Sequence, residues 1–134
     1  MLKKMVSTLL AAASIVVLPL IIHSQDRQVR IIKVQATINP TIAEFITTSI
    51  GKAASSGDEA IIIELDTPGG LDTAMRDIVK ELLSPPIPVV VYVHPSGGRA
   101  ASAGVLITMA ANIAAMTPGT NIGAAHPVNV GGGE

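Results

Sequence analysis

Ser102 stands among alanines and glycines in the stretch Pro95-Ser96-Gly97-Gly98-Arg99-Ala100-Ala101-Ser102-Ala103-Gly104, a place suited to a nucleophile. The apolar, β-branched run Val89 to Val93 precedes it and Ala103 to Ala111 suits a helix, so Ser102 is expected at a strand-to-helix transition. There the free N–H groups of a helix N-terminus point at whatever the hydroxyl attacks, and small neighbours let a carbonyl approach. The arrangement follows the logic of a nucleophile elbow, with Ala100 where the strict motif has glycine. A second loop, Asp66-Thr67-Pro68-Gly69-Gly70, offers backbone N–H groups at Gly69 and Gly70. A serine beside such donors is what acyl transfer requires, because the hydroxyl attacks a carbonyl and the donors hold the oxyanion. The same residues also fit a plain glycine turn and a helix-capping serine.

A nucleophilic serine needs a base. Lys33, Lys52 and Lys80 are placed on a strand, a helix end and a helix face, where they read as surface charges, and no lysine or arginine follows Arg99. His126, 24 residues after Ser102, is a rival base or a residue lining the cleft. His94 reads as a loop hydrogen-bonder. Arg99 is a solvated charge, a partner for Glu64 or Asp66, or a residue facing another subunit, and Asp66 organises its own turn through its side-chain acceptor.

These loops must be positioned by regular elements. Val29 to Ile38 reads as a strand, and Asn39-Pro40 then caps a helix running to about Ala54. Ala60 to Leu65 is a second strand, followed by an amphipathic helix from Leu71 to Leu82 with Asp72 as candidate cap. Pro88 to Val93 is a third strand, a helix starts near Ser102, and a short strand at Ile113 to Met116 precedes a turn at Thr117 to Thr120. Alternating strands and helices predict an α/β fold with a mainly parallel sheet, whose carboxyl ends carry the site.

Composition narrows the function. The 134 residues are 49% hydrophobic with one Phe and one Tyr, so aliphatic side chains must fill the core. A net charge of −1 and the lack of aromatic platforms argue against nucleic acid. Three scattered histidines and no cysteine give neither a disulfide framework nor a metal-ligand spacing, and no phosphate-binding P-loop motif is present, so no cofactor is expected. Residues 1–25 open with Lys3 and Lys4 before an uncharged run from Met5 to Ile22, the pattern of a signal peptide or membrane anchor that would leave the residues after Asp26 on the outer side of the membrane. The glycines at Gly131 to Gly133 suggest that 29–134 is the N-terminal part of a longer domain.

Asp66 to Gly70, then Ala100 to Gly104, then Thr117-Pro118-Gly119-Thr120-Asn121-Ile122-Gly123-Ala124 together resemble the protease domain of NfeD-type membrane-bound serine proteases. These are grouped with the Clp protease and signal peptide peptidase A in the Clp/crotonase fold, and the resemblance covers about Val29 to Glu134. It implies Ser102 as nucleophile and the N–H groups of Gly70 and Ala103 as oxyanion donors. It also implies a Ser–Lys dyad whose lysine lies about forty residues beyond the serine, past Glu134. In the Clp protease the segment corresponding to His126 carries the histidine of a Ser-His-Asp triad. The implied activity is a membrane-associated, ATP-independent serine endopeptidase, a homo-oligomer acting on apolar peptides or membrane-protein segments. A non-catalytic, membrane-associated interaction module of the same fold is the alternative. Enolate chemistry of the crotonase kind is a third, and it gives Ser102 nothing to do.

Overall fold

The computed structural model describes residues 28–125. In chain order they form β1 (Val29–Gln35), α1 (Pro40–Ser55), β2 (Ala60–Asp66), α2 (Asp72–Leu82), β3 (Val89–Val93), β4 (Arg99–Ala101), α3 (Ala103–Ala110), β5 (Ile113–Met116) and β6 (Asn121–Gly123). The order β1-β2-β3-β5 makes a four-stranded sheet in which every neighbouring pair is parallel. β4 and β6 form a separate two-stranded parallel ladder. This is the α/β fold with a mainly parallel sheet that the sequence predicts.

The period-two pattern of β2 buries Ile61, Ile63 and Leu65 completely on one face of the sheet. Register brings Val34 of β1 and Val91 and Val93 of β3 onto that face. Ile46 and Ile50 of α1, Ile78 and Leu82 of α2 and Ile107 of α3 pack against it, with α2 lying between α1 and α3. Each fully buried aliphatic side chain of this size contributes about 1.5–3 kcal/mol, and among the described residues the core is built from aliphatic side chains and Met75. Phe45 is 44% exposed and Tyr92 half-buried, so neither aromatic ring belongs to it.

Asn39 caps α1 as expected: its Oδ1 accepts from the Ile42 N–H at 3.0 Å, with Pro40 in the first turn. Asp72 is not the cap of α2. Leu71 holds that position with an extended backbone and no side-chain bond, because its own N–H is drawn to the Ile38 carbonyl at 2.9 Å. Asp72 is instead the first helical residue and pairs with Arg76 at 2.7 Å, which raises the Arg76 pKa through that hydrogen bond and the charge of Asp72.

The first strand is shorter than predicted. The chain bends at Ala36, and Ile38 leaves the sheet to pair with the loop after β2, donating its N–H to the Gly69 carbonyl at 2.8 Å. β4 and β6 fall where the sequence suggested only loop. Three residues each carry no readable periodicity, and their pairing is long-range, Arg99 with Asn121 through Ala101 with Gly123.

The signal or anchor expected over 1–25 lies outside the described residues. No helix among the described residues is long and apolar enough to cross a membrane.

Candidate active site

Ser102 is the residue between β4 and α3, and its backbone is strained, with φ 51° and ψ −112°. A non-glycine residue with positive φ persists only where its surroundings hold it. Here the Ser102 N–H donates to the Gly123 carbonyl at 2.9 Å, and its own carbonyl accepts from Val105 N–H at 3.0 Å. The hydroxyl makes no capping bond to α3, so the serine is not an ordinary helix cap. Ser102 is half-buried, and its hydroxyl has no hydrogen-bond partner among the described residues.

The loop after β2 is clamped to β4. Thr67 N–H donates to the Arg99 carbonyl at 2.7 Å, and Ala101 N–H donates to the Thr67 carbonyl at 3.0 Å. The Asp66 carboxylate accepts the Arg99 N–H at 3.0 Å. Asp66 therefore fixes the start of β4 across the sheet edge, a longer reach than the local turn the sequence suggested. These bonds bring Gly69, at φ 109°, against the serine: a Cβ at Gly69 would lie 2.8 Å from Ser102 Cβ and 3.3 Å from its Oγ.

Among the described residues only one of the two loop glycines keeps a free donor. The Gly69 N–H is taken by Thr67 Oγ1 at 3.1 Å, which corrects the expectation that both glycines offer theirs. The Gly70 N–H has no acceptor among the described residues, and Gly70 is exposed while its Cα is wedged against the Ile38 backbone. Ala103 opens α3, and its N–H likewise finds no partner among the described residues. These two amides are therefore left unoccupied among the described residues.

Thr67 is the residue that sequence reading passed over. It is fully buried and holds Gly69 through its hydroxyl, and its methyl sits where a Cβ at Gly104 would fall, at 2.6 Å. The available signal was the glycine two residues after Ser102, which lets α3 approach this threonine.

The remaining candidates lie apart from this arrangement or outside it. His94 stacks on Tyr92 with ring centroids 5.2 Å apart, and its Nδ1 lies 3.2 Å from Thr117 Oγ1, which donates to the Tyr92 hydroxyl at 2.7 Å. His94 is thereby tied through Thr117 to Tyr92 and is a structural hydrogen-bonder. Lys33 pairs with Glu64 at 3.6 Å, and Lys52 and Lys80 are exposed in the last turns of α1 and α2. The Arg99 guanidinium pairs with neither Glu64 nor Asp66. His126 lies outside the described residues. Among the described residues no group of three or more His, Cys, Asp or Glu is placed to hold a metal ion.

The family model for the NfeD1b N-terminal domain matches residues 28–134. The chain belongs to this family. The Membrane-bound protease PH1510 of Pyrococcus horikoshii is 51% identical over 76 residues, covering 57% of this chain and 17% of its own length. Membrane protein NfeD1b of Bacillus subtilis is 32% identical over 106 residues, 79% of this chain and 24% of its own. Among solved structures, the 1510-N membrane-bound stomatin-specific protease superposes as a serine-to-alanine mutant with a TM-score of 0.76 at 39% identity, covering 81% of this chain and 52% of that one. Its lysine-to-alanine mutant in complex with a substrate peptide gives 0.75 at 40% identity, covering 78% and 48%. ClpP1 from Listeria monocytogenes gives 0.65 at 25% identity, covering 71% and 55%. The NfeD1b-type chain thus has a ClpP-like fold and membrane-bound protease relatives. It spans a quarter or less of the curated relatives it matches and about half of the solved chains.

Proposed function

We propose that this NfeD1b-type domain is the nucleophile-bearing part of a membrane-associated serine endopeptidase. Ser102 Oγ attacks the scissile carbonyl, and the N–H groups of Gly70 and Ala103 hold the negative charge that develops on the carbonyl oxygen. The observation that carries the reading is the strained Ser102 backbone, which turns an uncapped hydroxyl out between β4 and α3 beside Gly69. A base takes the hydroxyl proton and returns it to the leaving amine, and water then releases the acyl group from Ser102.

The base we favour is a lysine C-terminal to residue 134, forming a Ser–Lys dyad. Support comes from the solved relatives, in which one mutant replaces a serine and another a lysine. His126 is the alternative base. The substrate class is a peptide segment of a membrane protein, in line with the stomatin-specific relatives and their peptide complex. The domain works on the outer face of the membrane as part of a homo-oligomer. The membrane-bound relatives support the membrane association, and the Lys3-Lys4 start before an apolar run supports the orientation.

The test is peptide cleavage by the intact protein in detergent, with and without Ser102→Ala. Cleavage abolished by the substitution, together with trapping of an acyl group on Ser102, is the expected result. Cleavage that survives Ser102→Ala would remove Ser102 as the nucleophile, whereas no cleavage of any membrane-protein peptide by the unsubstituted protein would favour a non-catalytic interaction module.

A further inference from the structure

A polar cleft of about 600 Å³ opens at the carboxyl ends of β1 and β2, with Gln35, Thr37, Asp66, Pro68, Arg99 and Asn121 in its wall. This edge of a parallel α/β sheet is where ligands are bound. Among the described residues of the wall, Arg99 alone is cationic. It is exposed, and its guanidinium forms no ion pair with a carboxylate of the described residues. Glu64 is engaged by Lys33 at 3.6 Å. The cleft's own carboxylate, Asp66, accepts the backbone N–H of Arg99 at 3.0 Å and leaves the guanidinium unneutralised. A guanidinium presents a planar fork of donors that matches a carboxylate, and the Gln35, Thr37 and Asn121 side chains add further polar partners.

The cleft adjoins the serine. Pro68 lines it, and the next residue, Gly69, is the one packed on Ser102. Arg99 begins β4 three residues before Ser102, roughly 10 Å away at the rise of a strand. A peptide laid in extended form across Ser102 brings a residue roughly two or three positions from the scissile bond to the cleft.

We propose that this cleft is a substrate subsite for a carboxylate gripped by Arg99. The carboxylate belongs either to an Asp or Glu side chain of the peptide or to its C-terminus. The inference rests on the endopeptidase reading and assigns that site a preference for an acidic group.

The experiment uses the intact Ser102→Ala protein and measures binding of fluorescent peptides, all derived from one peptide that the unsubstituted protein cleaves. One set moves a single Asp along the sequence, one replaces it with Asn at each position, and one compares a free with an amidated C-terminus. The expected result is Asp favoured over Asn by about tenfold at one position, or free acid over amide by as much, within three residues of the cleavage point. Which set responds identifies the source of the carboxylate. Arg99→Gln should erase that ratio, and Arg99→Glu should turn it toward Lys at the same position. If peptides bind and are cleaved but acid and amide forms never differ, or if the ratio survives in both Arg99 variants, the subsite is overturned while the peptidase stands. If no peptide is cleaved or bound, the peptidase reading fails and the subsite with it.

Discussion

Gly69 and Ser102 touch backbone to side chain: a methyl group on Gly69 would come within 2.8 Å of Ser102 Cβ and 3.3 Å of Oγ. The contact joins the loop carrying the Gly70 amide to the residue proposed as nucleophile. Gly69 is buried and its φ is 109°, a region that other residues rarely adopt.

Gly69→Ala therefore meets two obstacles at once, backbone strain and a clash with Ser102. We expect the intact protein to lose about 2 kcal/mol of stability and at least about a hundredfold in kcat, since displacement of about 1 Å at the reacting atoms has that effect. Urea denaturation and peptide cleavage measured side by side check both. Unchanged kcat in Gly69→Ala would mean that the contact does not set the position of the hydroxyl.

Asp66 links β2 to β4 through the Arg99 N–H at 3.0 Å, so the test lies in what each substitution keeps. Asp66→Asn retains an acceptor oxygen and should keep activity within about threefold. Asp66→Ala leaves an exposed amide to water and frees the start of β4, with a loss of about 1 kcal/mol and about tenfold in kcat. The rescue by Asn distinguishes a hydrogen-bond tether from a need for negative charge.

Much of this arrangement was legible in the sequence because it depends on local signals. The β-branched run Ile61 to Ile63, the Asn39-Pro40 cap and the small residues around Ser102 each specify their own segment without help from the rest of the chain. What escaped was decided by distant partners. β4 exists because Arg99 to Ala101 finds Asn121 to Gly123, Ile38 leaves β1 because Gly69 and Leu71 take its backbone groups, and Asp72 yields the cap position to Leu71 for the same reason. The division of labour between the two glycines was equally hidden, since only the folded chain places the Thr67 hydroxyl on the Gly69 N–H.

The strain at Ser102 predicts a difference between two inactive variants. Ser102→Ala keeps the positive φ and its penalty, whereas Ser102→Gly relaxes it. Glycine also gains entropy in the unfolded chain, which offsets part of the relief. With strain of about 1–3 kcal/mol against an entropic term of about 0.4–1 kcal/mol, the glycine variant should be the more stable by about 1 kcal/mol. Thermal or urea unfolding of the two proteins measures it. A glycine variant less stable than the alanine variant by the entropic term of about 0.4–1 kcal/mol would show that the residue is not strained where it stands.

Gly104 and Thr67 provide the sharpest packing test, because opposing effects act at one position. An alanine in the first turn of α3 gains helix propensity, at most about 1 kcal/mol. Against this, its Cβ would lie 2.6 Å from the Thr67 methyl and 3.3 Å from Ala100 Cβ, and Thr67 is fully buried and hydrogen-bonded to β4 on both sides, so it has nowhere to move. Overpacking of this kind amounts to about 1–3 kcal/mol, so Gly104→Ala should be destabilising on balance. Thr67→Ser removes the methyl while keeping the hydroxyl that holds Gly69. The double variant should therefore be less destabilised than the sum of the two single ones, by about 1 kcal/mol in a double-mutant cycle. Strict additivity would place the obstacle to a side chain at Gly104 somewhere other than Thr67, and α3 would then owe its approach to the loop, and Ser102 its setting, to a different contact.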